Sequence, residues 1–424
     1  MFPGVGLPAV LVIPAFVLLV LVDAVLGFSS LDGIRVELPE TVRLSKDREG
    51  AIDVTIANEG SKTRRLRLGL PFPYEISSAQ ETLTVILHAD VAASRCAWAC
   101  TPRKRGRYRL RHCFLEGRSP LGFWAIRGKQ PLKSELRIYP DLSGERNNLA
   151  ALFLNRGSFG IHAQRQVGKG RDFEKLREYI PGDSFEDIHW KATAKRRLPI
   201  TKVFQIERTQ EVYVVVDTSR LSARLSDMQV SGDSTGVMIL ERFITAALVM
   251  GLAARKQGDL FGVVTFSDQV NGFVRARSGK AHYSACRDAL YTLEPQQVNP
   301  DFNELCTFLR LRLRRRALLL FLTNLDDAVV AESFVKNMEL IQRQHLVLVN
   351  MLQPALAHPI FSHQRVESVD GVYRELGGHM LWHDLRELER TLHHRGVHFS
   401  LVPNEKLCVD LVSQYIGVKR RQLL

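Results

Sequence analysis

Residues Leu7–Phe28 form a nearly uninterrupted apolar run, and its single charged residue, Asp23, lies close to its end. A helix needs about 20 such residues to cross the hydrocarbon core of a bilayer. No Lys or Arg precedes the run and no small-residue cleavage site follows it, which disfavours a cleaved signal peptide. Residues 1–30 are therefore predicted to form one transmembrane helix, and the rest of the chain must fold beside a membrane.

The charge balance indicates on which side of the membrane that remainder lies. The chain has 58 Lys and Arg against 45 Asp and Glu, a formal net charge of +13. The positive charge follows the apolar run, beginning at Arg35, and cytoplasmic flanks carry the excess of basic residues. We expect a single-pass protein of the inner (plasma) membrane with cytoplasmic soluble domains. A basic surface could bind anionic lipid, whereas nucleic acid is not expected because no recognition motif accompanies the basic runs.

Residues 31–142 carry short runs in which apolar and polar residues alternate. Period-two alternation with β-branched residues is typical of half-buried strands. Turn residues separate the runs at short intervals, which predicts an antiparallel β-sandwich of the immunoglobulin-like type. Trp98 and Trp124 are expected in the core or at a corner of this domain. The clearest runs are Ala51–Asn58, Arg64–Leu70, Glu81–Ala89, Arg107–Gly117 and Ser134–Pro140.

Residues 211–424 alternate between strand and helix patterns. The run Glu211–Ser219 is almost wholly apolar before Asp217, as in a parallel strand that is covered on both faces. Met238–Gln257 has apolar residues at helical spacing, and Leu260–Phe266 is a second buried strand. The same order repeats to the end of the chain, which predicts a doubly wound α/β domain with a parallel sheet.

Between these two domains, residues 143–210 contain an unusual motif, Gly168–Lys202, in which charged and aromatic residues surround a Pro-Gly-Asp turn. We expect a short helix near Tyr179, the turn, an ordered element from Ile188, and a strand over Leu198–Glu207. The motif residues that we single out as a candidate docking site are Arg177, Tyr179, Pro181, Gly182, Asp183, Asp187, His189, Trp190 and Lys191.

Three interpretations of this motif remain open. Its polar residues could form a paired network that joins the two domains, since concealed polar groups need partners. They could instead form a docking surface for another protein. In the third interpretation, Asp183, Asp187 and His189 move a proton or hold a metal. The enzyme would then be a hydrolase or transferase centred on Asp183, His189 and Lys191.

The motif resembles the signature of the domain of unknown function 58 family, a group of uncharacterised bacterial membrane proteins. The phrases at Thr101–Leu110 and Ser119–Ile126 are similar to two further patches of that family. The resemblance implies that the final domain is von Willebrand factor A-like, with supporting phrases at Asp217–Ser219, Gly258–Asp268 and Thr323–Asp327. Members usually begin with two transmembrane spans, whereas this sequence shows one.

The resemblance also implies where a cation would bind. In intact domains of this type, hydroxyls and carboxylates at the carboxyl ends of the strands hold a divalent ion, and oxygen ligands suit Mg²⁺. Asp217 and Ser219 match that pattern, but Leu221 replaces the second serine. Asn324 replaces an aspartate that Asp326 could supply, and Phe302 lies near the expected threonine. We therefore expect a degenerate site and no cofactor; Asp217 could instead accept hydrogen bonds from the following backbone.

These expectations combine into one functional hypothesis. A membrane-anchored, non-enzymatic adaptor would present its von Willebrand A-like domain to a protein partner. Family resemblance implies a MoxR-type AAA+ ATPase as that partner. The hydrolase or transferase centred on the motif and a basic surface that binds anionic lipid or nucleic acid are the alternatives.

Overall fold

The computed structural model describes residues 6–60, 63–148, 167–181, 183–205, 210–226, 236–354, 356–360, 362 and 368–421. Gly182 of the predicted docking site lies outside the described residues. The chain divides into two compact units. The first comprises Met1–Asp141 with Tyr291–Leu293, and the second comprises Leu142–Leu290 with Glu294–Leu424.

The first unit begins with helix α1, Gly6–Gly27. At a rise of 1.5 Å per residue its 22 residues extend about 33 Å, which matches the hydrocarbon core of a bilayer. The range Val12–Leu31 is long and apolar enough to cross a membrane, and most of its side chains are exposed. Apolar side chains facing outward on a helix of this length are suited to lipid rather than to water.

Nine strands follow among the described residues of the first unit. They are β1 (Ile34–Glu37), β2 (Thr41–Ser45), β3 (Gly50–Asn58), β4 (Arg64–Gly69), β5 (Ile76–Ser77), β6 (Thr82–Leu87), β7 (Ala93–Pro102), β8 (Gly106–Arg118) and β9 (Ala125–Tyr139). One sheet has the order β1-β3-β7-β5 and the other β2-β9-β8-β4-β6. Strand β2 pairs parallel with β9, and the remaining pairs are antiparallel.

Both sheets contribute side chains to one apolar core. Strand β3 shows the cause, because Ile52, Val54 and Ile56 alternate with more exposed residues and all point to the core. Trp98 is buried there, as expected. Trp124 is not in the core: it lies in the turn between β8 and β9, its side chain is about half exposed, and its indole N–H donates to the Val20 carbonyl of α1.

The Gly168–Lys202 motif forms a two-stranded ribbon and a short helix. Strand β10, Val167–Glu178, pairs antiparallel with β11, Ile200–Gln205, and helix α2 spans Trp190–Arg196 between them. The predicted helix near Tyr179 is wrong, because the alternating residues of β11 give this stretch a strand partner up to Glu178. The predicted strand continues to Glu207, but residues 206–209 lie outside the described residues.

The rest of the second unit alternates strands and helices. The strands are β12 (Glu211–Asp217), β13 (Leu225–Ser226), β14 (Val237–Met238), β15 (Leu260–Phe266), β16 (Val270–Arg277), β17 (Leu318–Leu322), β18 (Leu346–Leu352) and β19 (His398–Val402). The helices are α3 (Ile239–Lys256), α4 (Lys280–Leu290), α5 (Phe302–Arg312), α6 (Ala328–Met338), α7 (Val369–His394) and α8 (Leu407–Arg421).

Six of these strands form one sheet in the order β16-β15-β12-β17-β18-β19. Tyr213 and Val215 of β12 belong to a core that includes side chains of α5, α6 and α7. The opposite face of β12 is covered by α3. The sheet is mixed rather than wholly parallel, because β16 returns from β15 through a tight connection and must pair antiparallel with it.

Candidate functional site

The first candidate site lies where β12 and β17 end side by side. Their register pairs Val216 with Leu322, so Asp217 and Thr323 follow at neighbouring positions of the same sheet edge. Asp217 is fully buried, and burial raises the pKa of its carboxyl. Its Oδ2 accepts a 2.6 Å hydrogen bond from the Thr323 hydroxyl, and its Oδ1 accepts a 2.8 Å bond from the Ser219 N–H. Protein donors therefore engage both carboxylate oxygens.

The ligand positions around Asp217 are only partly filled by oxygen. Ser219 is buried beside Asp217, as expected from the sequence, but Leu221 is also fully buried and offers no side-chain ligand. The Nδ2 of Asn324 approaches the Leu221 carbonyl at 3.5 Å, and its buried Oδ1 has no hydrogen-bond partner within the described part of the chain. Phe302, near which we expected a threonine, is a core residue.

The carboxylates that follow β17 form ion pairs with arginine side chains. Arg224 forms an ion pair with Asp326, and Arg220 lies 3.6 Å from Asp327. Asp327 also caps α6 by accepting from the Val329 N–H at 3.0 Å. The two acidic residues that could have replaced the missing ligand are thus neutralised by guanidinium groups. Among the described residues, no group of three or more His, Cys, Asp or Glu is arranged to hold a metal.

Thr323 is the residue of this edge that sequence reasoning missed. Its hydroxyl lies directly after a buried strand, and that position was the available signal, because the carboxyl ends of neighbouring parallel strands meet. A second set of hydrogen-bonded polar residues lies next to Thr218. Asn271 donates to the hydroxyls of Thr218 and Ser267 at 3.2 and 2.9 Å, and Ser267 donates to Gln296 at 2.7 Å.

The second candidate site is the Gly168–Lys202 motif. Arg177 forms a 2.7 Å ion pair with Asp183, whose other carboxylate oxygen accepts from the Ile180 N–H at 3.1 Å. The Ile180 N–H, assisted by the Arg177 guanidinium, lowers the pKa of Asp183 below its ordinary value. The ion pair and backbone bond close the turn around Pro181. Asp183 is therefore held as a carboxylate with a structural partner.

His189 also has a local structural role. It is the N-cap of α2, where its Nδ1 accepts a 3.0 Å hydrogen bond from the Ala192 N–H. Asp187 is half-buried, and Lys191 is exposed on the first turn of that helix. The hydrogen bonds of Asp183 and His189 go to Arg177 and to backbone N–H groups, so the structure does not join these two residues with Lys191 as an acid-base set.

Large apolar side chains of the motif are exposed. Phe185 is 74% exposed and Trp190 is 70% exposed, and Tyr179 stacks on Phe185 with ring centroids 5.8 Å apart. We call the exposed apolar set the motif patch; it consists of Leu176, Ile180, Phe185, Trp190 and Leu198. The residues of the motif patch are exposed and apolar, so they are not part of a concealed polar network. Exposed apolar clusters on folded proteins commonly mark binding surfaces.

These features define a protein with an N-terminal apolar helix, a β-rich unit, and an α/β unit that carries a hydrogen-bonded acidic residue at its sheet edge. Residues 175–358 of the chain match the family described as "Protein of unknown function DUF58". This match includes most of the motif and confirms the resemblance that the motif predicted. Comparison with curated proteins finds no match.

Several solved structures are similar to parts of the chain. Proximal thread matrix protein 1 from the mussel byssus is 14% identical over 49% of this chain and 45% of that chain, with a TM-score of 0.26. The chaperone YadV is 13% identical over 26% of this chain and 52% of that chain, with a TM-score of 0.18. The chain thus spans less than two thirds of either protein.

Proposed function

We propose that the chain is a membrane-anchored, non-enzymatic adaptor that binds a protein partner through the motif patch. The observation that carries the proposal is the exposure of Phe185 and Trp190 within the region that the family pattern matches. Burying such side chains against a partner gives a favourable free energy of about 25 cal/mol per Å² of apolar surface. Aromatic residues are also the side chains most often found at the centres of interfaces.

In this proposal the two units have different roles. The first unit is an immunoglobulin-like β-sandwich attached to the membrane helix; its two sheets with one core support that fold. The second unit is a von Willebrand factor A-like domain, supported by the sheet order and by Asp217 and Ser219 at its carboxyl edge. Helix α1 anchors the chain in the inner membrane, with both units in the cytoplasm.

The partner that we propose is a MoxR-type AAA+ ATPase. The motif patch would bury its apolar side chains against that protein, while the exposed Lys191, next to Trp190 in the sequence, favours an acidic rim on the partner. The arginine-paired edge near Asp217 would serve recognition without a bound cation. Neither contact requires chemistry by this chain.

A pulldown from detergent extract tests the proposal. The full chain should retain the AAA+ ATPase, and the double variant Phe185→Ser, Trp190→Ser should lose it at least tenfold, because interface aromatics often contribute 2 kcal/mol or more each. Leu311→Ser is the matched control, since Leu311 of α5 is similarly exposed, at 68%, outside the patch. Equal retention by the double variant and the control would reject the motif patch as the docking site.

A further inference from the structure

The turn that connects β8 and β9, Ser119–Trp124, lies against α1 and not in open solvent. We call these six residues the hairpin tip. The carboxylate of Asp23 on α1 accepts hydrogen bonds from the Ser119 hydroxyl at 2.5 Å, the Leu121 N–H at 2.8 Å and the Phe123 N–H at 3.2 Å. These contacts span about 100 residues of sequence, so they fix the hairpin tip at one level of the helix.

The hydrogen bonds of Asp23 relate this level of the helix to a depth in the bilayer. An acidic residue within an apolar helix is expensive in a bilayer unless it is paired or hydrogen-bonded. Here its side chain is fully buried, and among the described residues its hydrogen-bond partners come from the hairpin tip. If α1 is embedded in lipid, the donors that satisfy Asp23 must be at the same depth as Asp23.

The backbone of the hairpin tip is prepared for a medium without water. Segments in hydrocarbon must satisfy their N–H groups internally, because each unsatisfied group costs several kcal/mol. Asp23 accepts from Leu121 and Phe123. Within the tip, the N–H of Ser119 donates to the Trp124 carbonyl, that of Gly122 to the Ser119 carbonyl, and that of Trp124 to the Ser119 hydroxyl. Pro120 has no N–H, so every backbone donor of the tip is engaged.

The side chains of the hairpin tip continue the apolar surface of α1. Leu121, Phe123 and Trp124 are each about half exposed, and the tip contains no charged residue. The Phe123 ring meets Phe16 edge-on with centroids 5.6 Å apart. Phe16 precedes Asp23 by seven residues, or about 10 Å along the helix axis. The tip therefore follows α1 away from the strands and toward the middle of the apolar run.

Trp124 indicates the depth at which the tip would end. Its indole N–H donates to the Val20 carbonyl at 3.0 Å, while part of the ring remains exposed. Tryptophan is enriched at the boundary between hydrocarbon and headgroups, where its ring is in an apolar environment and its N–H has a partner. Arg118, exposed at the base of the tip, is placed to reach the headgroups.

We propose that the hairpin tip is a second membrane-inserted element, which places Leu121, Phe123 and Trp124 in the lipid beside α1. The occupant of this apolar surface is the bilayer itself, because the surface is continuous with the lipid-facing side chains of α1. The inference rests on the proposed membrane anchoring. It adds that the first unit is held at a fixed distance and orientation to the bilayer through two contacts instead of a flexible tether.

Fluorescence quenching by brominated lipid tests this inference. The chain has four Trp residues. The variant Trp98→Phe, Trp190→Phe, Trp382→Phe leaves Trp124 alone and is reconstituted, as the full chain, into phosphatidylcholine–phosphatidylglycerol vesicles. The emission of Trp124 should shift to shorter wavelength and fall several-fold with lipid brominated on the upper acyl chain. Aqueous iodide should have little effect. The matched control keeps only Trp190, which lies in the second unit and should respond to iodide but not to brominated lipid.

Two measurements keep the outcomes distinct. Flotation of the vesicles shows first whether the chain inserts; failure to float rejects membrane anchoring and the inference with it. If the chain floats but Trp124 responds as Trp190 does, the anchoring stands and the membrane-inserted tip is rejected. Because Trp98 is buried, a second pair of variants retains it and differs only by Trp124→Phe. The part of the emission that this substitution removes must then show the lipid quenching.

Discussion

Leu221 is a buried apolar residue at the sheet edge for which we predict a degenerate cation site. Around Asp217, hydroxyls are present at Ser219 and Thr323, whereas the Leu221 side chain brings carbon where a further oxygen ligand would be needed. Asn324 adds an acceptor without charge, and its buried Oδ1 has no hydrogen-bond partner in the described ranges. A Mg²⁺ ion requires several oxygen ligands, and anionic ones increase its affinity. The local chemistry is therefore close to that of an ion site and lacks one ligand and one charge.

This deficiency predicts a gain of function. The variant Leu221→Ser, Asn324→Asp should be less stable than the parent by about 2–5 kcal/mol, because it removes buried apolar volume. Millimolar Mg²⁺ or Mn²⁺ should raise its thermal midpoint, since a ligand at 100 times its Kd stabilises by about 2.7 kcal/mol. Leu221→Ala, Asn324→Ala creates a similar cavity without ligands and should show no such rise. A saturable Mg²⁺ shift in the parent chain that Asp217→Asn abolishes would contradict the degenerate site.

His345 predicts how acid affects the second unit. The residue is buried before β18, neither ring nitrogen has a hydrogen-bond partner among the described residues, and burial lowers the pKa of the imidazole. The unfolded chain, with a pKa near 6.5, therefore binds the proton before the folded chain does. The stability that neutral His345 contributes is therefore fully present above about pH 6.5. It is lost as the pH falls toward the lower pKa of the folded state.

Urea unfolding at pH 7 and pH 5 measures this dependence. The unfolding free energy should fall on acidification, and His345→Leu should make that fall smaller. His88→Leu changes an exposed histidine and serves as the control. Burial also lowers the pKa of His398, so part of the pH dependence should remain in the His345 variant. An unchanged slope in His345→Leu would contradict the assignment.

At the scale of elements, two glycines of the second unit, one in a strand and one in a helix, have opposite effects on stability. Gly262 of β15 allows close packing, since an added Cβ would lie 2.5 Å from the Tyr213 ring and 2.7 Å from the Val274 carbonyl oxygen. Among the described residues, no atom lies within 4 Å of a Cβ added to Gly417 of α8. The first position has no room for a methyl group, whereas the second loses helix stability for lack of one.

The two alanine substitutions should therefore have opposite signs. Gly262→Ala should destabilise the chain by about 1–3 kcal/mol, because overpacking must displace a central strand. Gly417→Ala should stabilise it by up to about 1 kcal/mol, because alanine restricts the unfolded chain and favours the helix. Chemical denaturation of each variant measures both values. Destabilisation by Gly417→Ala would show that the environment of α8 is misassigned.

The elements also show what the sequence could predict. Strands β12, β15, β17 and β18 carry apolar runs bounded by turns, so their positions follow from composition alone. Strand β16 was missed because its polar and glycine-rich sequence, Val270–Arg277, lacks a clear alternation. The first half of α7 was missed because its apolar side chains include exposed ones, such as Val369 and Tyr373, which blur the expected pattern.

Candidate site residues were predictable only where one local sequence carries them. Asp217 and Ser219 follow one strand, and the Pro181 turn is visible from its residues. The hydrogen bond from Thr323 to Asp217 joins positions 106 residues apart, and that from Ser119 to Asp23 joins positions 96 apart. Such pairs depend on strand order and hairpin placement. A single sequence gives the secondary-structure propensity of each partner, but it does not show that the two partners are in contact.

At the scale of the whole molecule, the proposed attachment to the membrane depends on α1, because most of its described side chains are apolar and exposed. Leu18 lies in the middle of the helix with 64% of its side chain exposed. An arginine at the centre of a membrane helix costs about 2.5–3.5 kcal/mol on insertion scales. Snorkelling to the nearer interface is least effective at the centre, so Leu18 is the position at which a charge should interfere most.

Leu18→Arg is therefore expected to shift the chain from the membrane fraction to the fraction released by alkaline carbonate. Tyr74→Arg adds the same charge to an exposed position of the first unit and should leave the chain in the membrane fraction, because Tyr74 is 91% exposed on a loop distant in sequence from α1. Immunoblotting of the two fractions measures the ratio. If both variants remain equally resistant to carbonate, α1 is not the element that holds the protein in the membrane, and the hairpin tip would have to hold it there. Release of the unchanged chain by carbonate and by high salt would instead indicate attachment through its basic surface.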